Sequence, residues 1–454
     1  MTMSDAVRHV SGRTLLWGDR YLTFLAIVLL GYALLGKGFA YIGIPPLYIG
    51  EIAFLTGIVV LVRSGALVAS VTTLPSLLLI ATMMWVVVRT VPYIAVYGID
   101  ALRDSVILLY GAFAFIVIGL LLEDARRIDT VLRYYAASLV TFPIIPLAFW
   151  LTKYWGDYIP RLYGPNIPIV EIGASALGTH LAGAAVFVLI GYRKVSWFWV
   201  LIWFGALAMI GASNRGATLA AAVAIMLAML VLGRLRMMLT AAVAGVGLFV
   251  VLLTAEATFL DYEEVKDSID RPVSAHQILE NIRSVIGQSG SQTEGTKKWR
   301  LDWWDIIIGD TIHGPHFWTG RGFGLNLADA DGFAGTGDAN TSRPPTRSPH
   351  NAHMTLLARA GVPGVVLWSL VLLSWSGLML RAMLIAYLRG HTQWRNLFLW
   401  IFCYVTAIVI NATFDVTLEG PMQGIWFWCL FGFGVGSVMV YRAQVADEAV
   451  GRLR

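Results

Sequence analysis

Apolar residues in this chain come in long runs rather than in alternation. About twelve runs approach the roughly 17–25 residues that cross a bilayer as a helix. They lie near 21–36, 47–62, 74–90, 105–122, 131–151, 172–191, 195–212, 215–232, 237–257, 362–380, 397–414 and 423–441. Each run is apolar on all sides, which excludes the in–out alternation of barrel strands. The pattern predicts an all-α polytopic membrane protein with about 12 transmembrane helices. The first run follows Arg8, Arg13 and Arg20 and has no small-residue cleavage site after it, so it reads as a retained anchor.

Polar sequence is concentrated in one place, between the ninth and tenth runs. This divides the chain into an N-terminal membrane region over 1–257, a loop over 258–353 and a C-terminal membrane region over 354–454. The loop has parts. Residues 261–289 show helix-like spacing, and Gly287 to Gly295 reads as a linker. Lys297 to Ile308 predicts a Trp-rich helix. Gly320-Arg321-Gly322-Phe323-Gly324 needs the backbone freedom of glycine. Residues 328–349 read as a mobile segment. A loop this long is usually a lid or a binding element.

Composition agrees. The 454 residues are 57% hydrophobic and 13% charged, with mean hydropathy +0.70, whereas soluble domains carry about 25% charged residues. A net charge of +5 would suit nucleic acid, but its distribution excludes that partner. Arg63, Arg126, Arg127, Arg133, Arg193, Lys194, Arg234, Arg236, Arg381, Arg389 and Arg395 gather on one side of the runs. Lys37, Arg89, Arg103, Lys153, Arg161 and Arg215 are sparser on the other. The positive-inside rule then predicts cytoplasmic termini and an external loop. Cys403 and Cys429 lie in predicted spans, so no disulfide framework orders the loop.

Several groups are candidates for chemistry. Arg215, in Ser213-Asn214-Arg215-Gly216-Ala217, stands at the mouth of a tight hairpin, facing either an anion or lipid headgroups. In Lys297-Lys298-Trp299-Arg300-Leu301-Asp302-Trp303-Trp304, Arg300 shares a helical face with Trp303 and Trp304. That helix fits phosphate recognition beside Trp299 and Trp303, or simple contact with anionic membrane lipids. His350 and His353 bring imidazoles to the membrane boundary, and imidazole is the usual base for a sugar hydroxyl. His313 and His316 add a second pair, but the spacings lack the Glu and Cys of familiar zinc sites. Asp329 and Asp331 fit a metal–diphosphate site no better than a solvated turn. No metal and no cofactor are expected. Asp415 and Glu419 either orient the base or an arginine, or belong to a polar turn. Arg359 is left without a role.

His350-Asn351 followed by Gly361 and Gly364 resembles the signature of the O-antigen ligase family, within the wider ligase and polymerase superfamily. The layout of spans, Arg215, the Trp–Arg helix and the Gly-Phe-Gly turn are similar too. The resemblance implies a GT-C-like glycosyltransferase in the bacterial inner membrane with a periplasmic active site. It implies a donor glycan on undecaprenyl diphosphate and a lipid A-core acceptor. Carried onto this chain, the catalytic histidine is His350 and the arginines that meet the diphosphate are Arg215 and Arg300, with Arg321 and Arg283 as alternatives to Arg300. Arg321, Asn351, Trp299, Trp303, His353 and Asp415 are the expected substrate-binding residues. A polymerase or a protein O-oligosaccharyltransferase would share this donor. A transporter fits less well, because transporters place polar residues near the midplane. Oligomeric state is not legible.

Overall fold

The computed structural model describes residues 12–164, 166–259, 273–286, 291–334 and 346–451. The first third holds α1 (Gly12–Leu35), α2 (Lys37–Ala40), a small hairpin of β1 (Gly43–Ile44) and β2 (Leu47–Tyr48), α3 (Ile49–Ser64), α4 (Leu67–Ser70), α5 (Leu74–Tyr97), α6 (Ile99–Leu109), α7 (Ala112–Glu123) and α8 (Arg127–Ser138). Next come α9 (Ile144–Trp155), α10 (Ala174–Leu189), α11 (Trp197–Ser213), α12 (Arg215–Val231) and α13 (Leu235–Phe259). The loop contributes α14 (Ala275–Ile286), α15 (Ser291–Thr311) and α16 (Leu327–Asp331). It is followed by α17 (Ala352–Leu388), α18 (Thr392–Ala412) and α19 (Pro421–Gly451).

Every apolar run of the sequence falls on a helix or a pair of helices. Among the described residues, six helices are long and apolar enough to cross a membrane by themselves: α1, α5, α13, α17, α18 and α19. The count is seven if α6 and α7, bent by 42° at their junction, form one span. Helices α10, α11 and α12 are apolar but shorter. The run at 131–151 is divided between α8 and α9, with Pro143 as the N-cap of α9. The protein is thus an all-α polytopic membrane protein.

A central bundle of α7, α10, α12, α17, α18 and α19 holds most of the buried apolar side chains. Glycines set its close approaches. A Cβ on Gly432 would lie 2.4 Å from the Ala114 carbonyl oxygen, and one on Gly183 would meet the Tyr404 ring. Such small-residue contacts let helix backbones approach where lipid offers no hydrophobic drive. None of residues 235–258 of α13 is buried, and the helix lies at the edge.

The loop is more ordered than its composition suggests. Helix α15 begins at Ser291, so residues 291–295 are helical rather than a linker; 287–290 lie outside the described residues. Docking explains this, because helices in proteins are held mainly by packing of an apolar face. Trp303 and Ile307 are fully buried against Leu327, Ala328, Leu357 and Ala358. The segment from 328, expected to be mobile, starts as α16 with Asn326 as N-cap; 335–345 lie outside the described residues. In the helix-like stretch 261–289, α14 is helical, while 261–272 lie outside them.

Helix α17 is the least regular element. Gly361 has φ 69°, ψ −173°, and Pro363 follows it. Trp368 Nε1–H donates to His353 Nδ1 at 3.0 Å. Fifteen residues of straight helix would separate these positions by about 22 Å, so the chain folds back sharply at Gly361. A Cβ on Gly364 would meet the Ala360 Cβ at 2.4 Å, which shows how closely the two legs meet. The short leg from Ala352 to Ala360 is therefore set apart from the long leg that follows Gly361. The carbonyls of residues 358 to 360, at the break, all find donors. Ala358 O accepts from Arg321 N at 2.8 Å, Arg359 O from Gly322 N at 3.0 Å, and Ala360 O from Trp85 Nε1 at 2.9 Å. Val362 N–H donates to Phe317 O at 2.8 Å. The Gly-Arg-Gly turn is stitched to the break, with positive φ at Gly320, Gly322 and Gly324.

Candidate active site

His350 sits just before the short leg of α17. It has φ 52°, a left-handed conformation that His tolerates better than most residues. Its neighbours hold it there. Trp304 Nε1–H donates to the Pro349 carbonyl at 3.0 Å. Asn351 caps α17, its Oδ1 accepting from His353 N at 2.9 Å and Met354 N at 3.1 Å. Asn351 is buried, and its side-chain oxygen is committed to the backbone. His353 faces Trp368 inside the fold-back. His350 alone of this pair keeps its side chain about one-third exposed.

The turn between α18 and α19 gathers the other groups. Asp415 Oδ1 lies 3.7 Å from His350 Nδ1. Arg300 Nη1–H donates to the Phe414 carbonyl at 3.1 Å. Phe414 packs on Gly216, whose added Cβ would lie 2.5 Å from the Phe414 Cβ. Arg215, at the first position of α12, is the residue before Gly216. Asn214 ends α11 and caps α12, accepting from Ala217 N at 3.0 Å, so the hairpin is a single-residue turn. Asn281 of α14 closes it from the loop side, donating to Gly211 O and Ala212 O at 2.8 and 2.9 Å. His350, Asp415 and Arg300 thus meet at one turn, with Arg215 beside it. The Trp299 ring stands 6.0 Å from that of His350. Trp299 Nε1 is buried with no hydrogen-bond partner among the described residues.

Glu419, on the same turn, reaches the first turn of α17. Its Oε1 accepts from Thr355 at 2.8 Å. Burial raises the Glu419 carboxyl above its ordinary value, against the pull of Thr355 and Arg359. Burial works the same way on Asp415, but there the His350 ring, the Val416 N–H and the Ser175 hydroxyl prevail and hold it below the usual carboxylate range.

Other expected residues stand apart. Arg321 bridges Asp310 and Asp331, each at 2.5 Å. Burial opposes its charge, yet the hydrogen bonds of the two carboxylates raise its affinity for the proton. Asp331 also accepts from Trp303 Nε1 at 2.7 Å, and Asp329 from Asn326. The two carboxylates of that motif therefore have separate partners. Arg283 pairs with Glu280 on an exposed face. Arg359 is buried and pairs with Asp104 at 2.9 Å, while donating to Leu325 O at 3.1 Å. Asp104 also accepts from Gly324 N at 3.1 Å. It was not singled out from sequence, since nothing near it in the chain marks a partner 255 residues away (359 − 104).

Residues 200–369 match the O-antigen ligase family. The segment contains Arg215, Arg300, His350 and the Gly361 fold-back, so the resemblance read from those residues holds. Members are glycosyltransferase-like enzymes acting on lipid-linked glycans. Asp415 lies beyond the matched segment and joins it only in space. No curated protein matches the chain.

Proposed function

We propose that this family member is an O-antigen ligase: an inverting, metal-independent glycosyltransferase that moves a glycan from undecaprenyl diphosphate to lipid A-core oligosaccharide at the periplasmic face of the inner membrane. The reading takes about twelve spans in a GT-C-like arrangement, cytoplasmic termini, and the three-part division at 257 and 353. The observation that supports it best is the convergence of a one-third-exposed imidazole, a carboxylate beside it and Arg300 on the 413–416 turn, with Arg215 next to it.

Asp415 lies on the Nδ1 side of His350. A carboxylate there favours the proton on Nδ1 and leaves the Nε2 lone pair for an acceptor hydroxyl. As the acceptor oxygen attacks the anomeric carbon, its proton passes to Nε2. The bond from that carbon to the diphosphate oxygen breaks, and the electron pair leaves with the diphosphate. Attack opposite the leaving group inverts the centre. Arg215 and Arg300 stabilise the charge that develops, and one well-placed donor of this kind is worth about 3 kcal/mol. The base contributes roughly 10²–10⁴-fold. Trp299, whose ring stands 6.0 Å from that of His350, borders the place where the glycans lie, and Trp303 and Arg321 support it from behind.

The test is transfer by the purified protein from a defined undecaprenyl diphosphate-linked glycan. His350→Ala abolishes transfer, while excess chelator leaves wild-type activity intact. Full activity of His350→Ala would refute the assignment. Supplying lipid A-core or a second lipid-linked glycan as acceptor separates the ligase from a polymerase of the same chemistry.

A further inference from the structure

The turn that follows α15 presents apolar side chains which the described residues leave uncovered. Trp318 is 70% exposed and Ile312 42%. Phe317 packs edge-on against the Trp318 ring, with centroids 5.0 Å apart. Two hydrogen bonds fix the level of this turn against helices of spanning length. Arg89 of α5 donates from Nε–H to Thr319 O at 2.6 Å. Val362, the first residue of the long leg of α17, donates from N–H to Phe317 O at 2.8 Å.

The α5 span gives that level a scale. Helix α5 begins at Leu74, and Arg89 lies 15 residues further on (89 − 74). That is about 22 Å along a helix, against a hydrocarbon core about 30 Å thick. With Leu74 at one face of the core, Arg89 stands about 8 Å short of the other, and the turn is bonded to it. The neighbouring surfaces agree, since Val88 and Val91 of α5 and Val366 and Leu370 of α17 are exposed, as lipid-facing residues are. An indole exposed at this level meets lipid. Trp favours that border, because its ring is apolar and its N–H finds partners among headgroups.

We propose that Trp318 is an interfacial anchor, by which the 312–319 turn inserts into the leaflet on the loop's side. Its partner is the border between headgroups and acyl chains. The anchored turn is the one bonded to the fold-back at Gly361, so lipid holds that junction together with the hydrogen bonds.

The test is spin-label accessibility on the full-length protein in vesicles of phosphatidylethanolamine and phosphatidylglycerol. Cys403 and Cys429 are buried, so the label goes to an introduced cysteine. Trp318→Cys reports the turn. Leu373→Cys, at a position 68% exposed on α17, reports lipid, and Lys298→Cys, at an exposed position of α15, reports water. Oxygen concentrates in lipid, and a nickel chelate stays in water. The label at 318 collides with oxygen more than with the chelate, as at 373 and opposite to 298. A label at 318 as open to the chelate as that at 298 overturns the proposal. So does one shielded from both reagents, which means that protein, such as a second copy of the chain, covers the turn. A label on Ile312→Cys keeps the indole in place and tests its role. There Trp318→Ser raises collisions with the chelate, and Trp318→Tyr, which keeps an interfacial ring, does not. Unchanged collisions in Trp318→Ser overturn the anchor. No substrate is used, so the result is independent of the reaction proposed above.

Discussion

Gly361→Ala tests the fold-back that brings His350 to its partners. At φ 69°, ψ −173° an L residue is strained by about 1–3 kcal/mol. Its Cβ would also lie 2.7 Å from Phe317 O and 2.8 Å from Gly320 N. Both are backbone atoms that cannot rotate away, so the 317–322 turn must move. The N–H groups of Arg321, Gly322 and Val362 bind across this junction, and each such bond is worth about 1 kcal/mol. Losing one on top of the strain gives a destabilisation of about 2–4 kcal/mol. Activity falls further than stability, since a displacement of about 1 Å at a reacting group costs on the order of 100-fold. The assay is thermal unfolding in detergent beside transfer at a temperature where the variant is folded. Gly377→Ala is the control. It lies in the same helix, and a Cβ there meets nothing within 4 Å, so it is neutral or stabilising by about 0.5–1 kcal/mol. If Gly361→Ala melts and transfers like wild type, the fold-back does not place the base.

Arg359→Met removes the buried partner of Asp104, which keeps Arg103 at 3.5 Å and Arg347 at 3.6 Å, so the cost stays below the roughly 3–5 kcal/mol of a buried charge left alone. A melting-temperature cycle with Asp104→Asn then shows a double variant less damaged than the sum of the two, as expected for residues in contact. The pH dependence of stability carries two opposite signs. The depressed Asp415 carboxyl contributes stability above its unfolded value, about 3.9, which is lost as pH falls through the lower folded value. Asp415→Asn therefore loses less stability than wild type below about pH 4. Glu419 is raised, so its contribution is present below about pH 4.3 and is lost as pH rises through its folded value. In Glu419→Gln that loss is absent. Melting scans of both variants across pH check the signs.

The sequence by itself determined the class of the protein. Runs of apolar residues of spanning length have no stable home but a bilayer, and each of them became a helix or a helix pair. It also marked Arg215, Arg300 and His350, because a cation at a hairpin, an Arg among tryptophans and an imidazole at a membrane boundary are unusual in such composition. What it left open was set by contacts between distant parts of the chain. Arg321 stands in a glycine-rich turn and was an alternative for the diphosphate by resemblance, but Asp310 and Asp331 occupy its guanidinium. Arg359 had no role in its own helix and found one with Asp104 on α6. Asn351 reads as a polar site residue and serves as a helix cap. The largest gap was at Gly361. Gly and Pro announce a break, but not its angle. The angle follows from where the freed carbonyls of residues 358 to 360 find donors, on the 320–322 turn and on Trp85. That fold-back, with the turn after α18, brings His350 within 3.7 Å of Asp415, a partner 65 residues further along the chain (415 − 350).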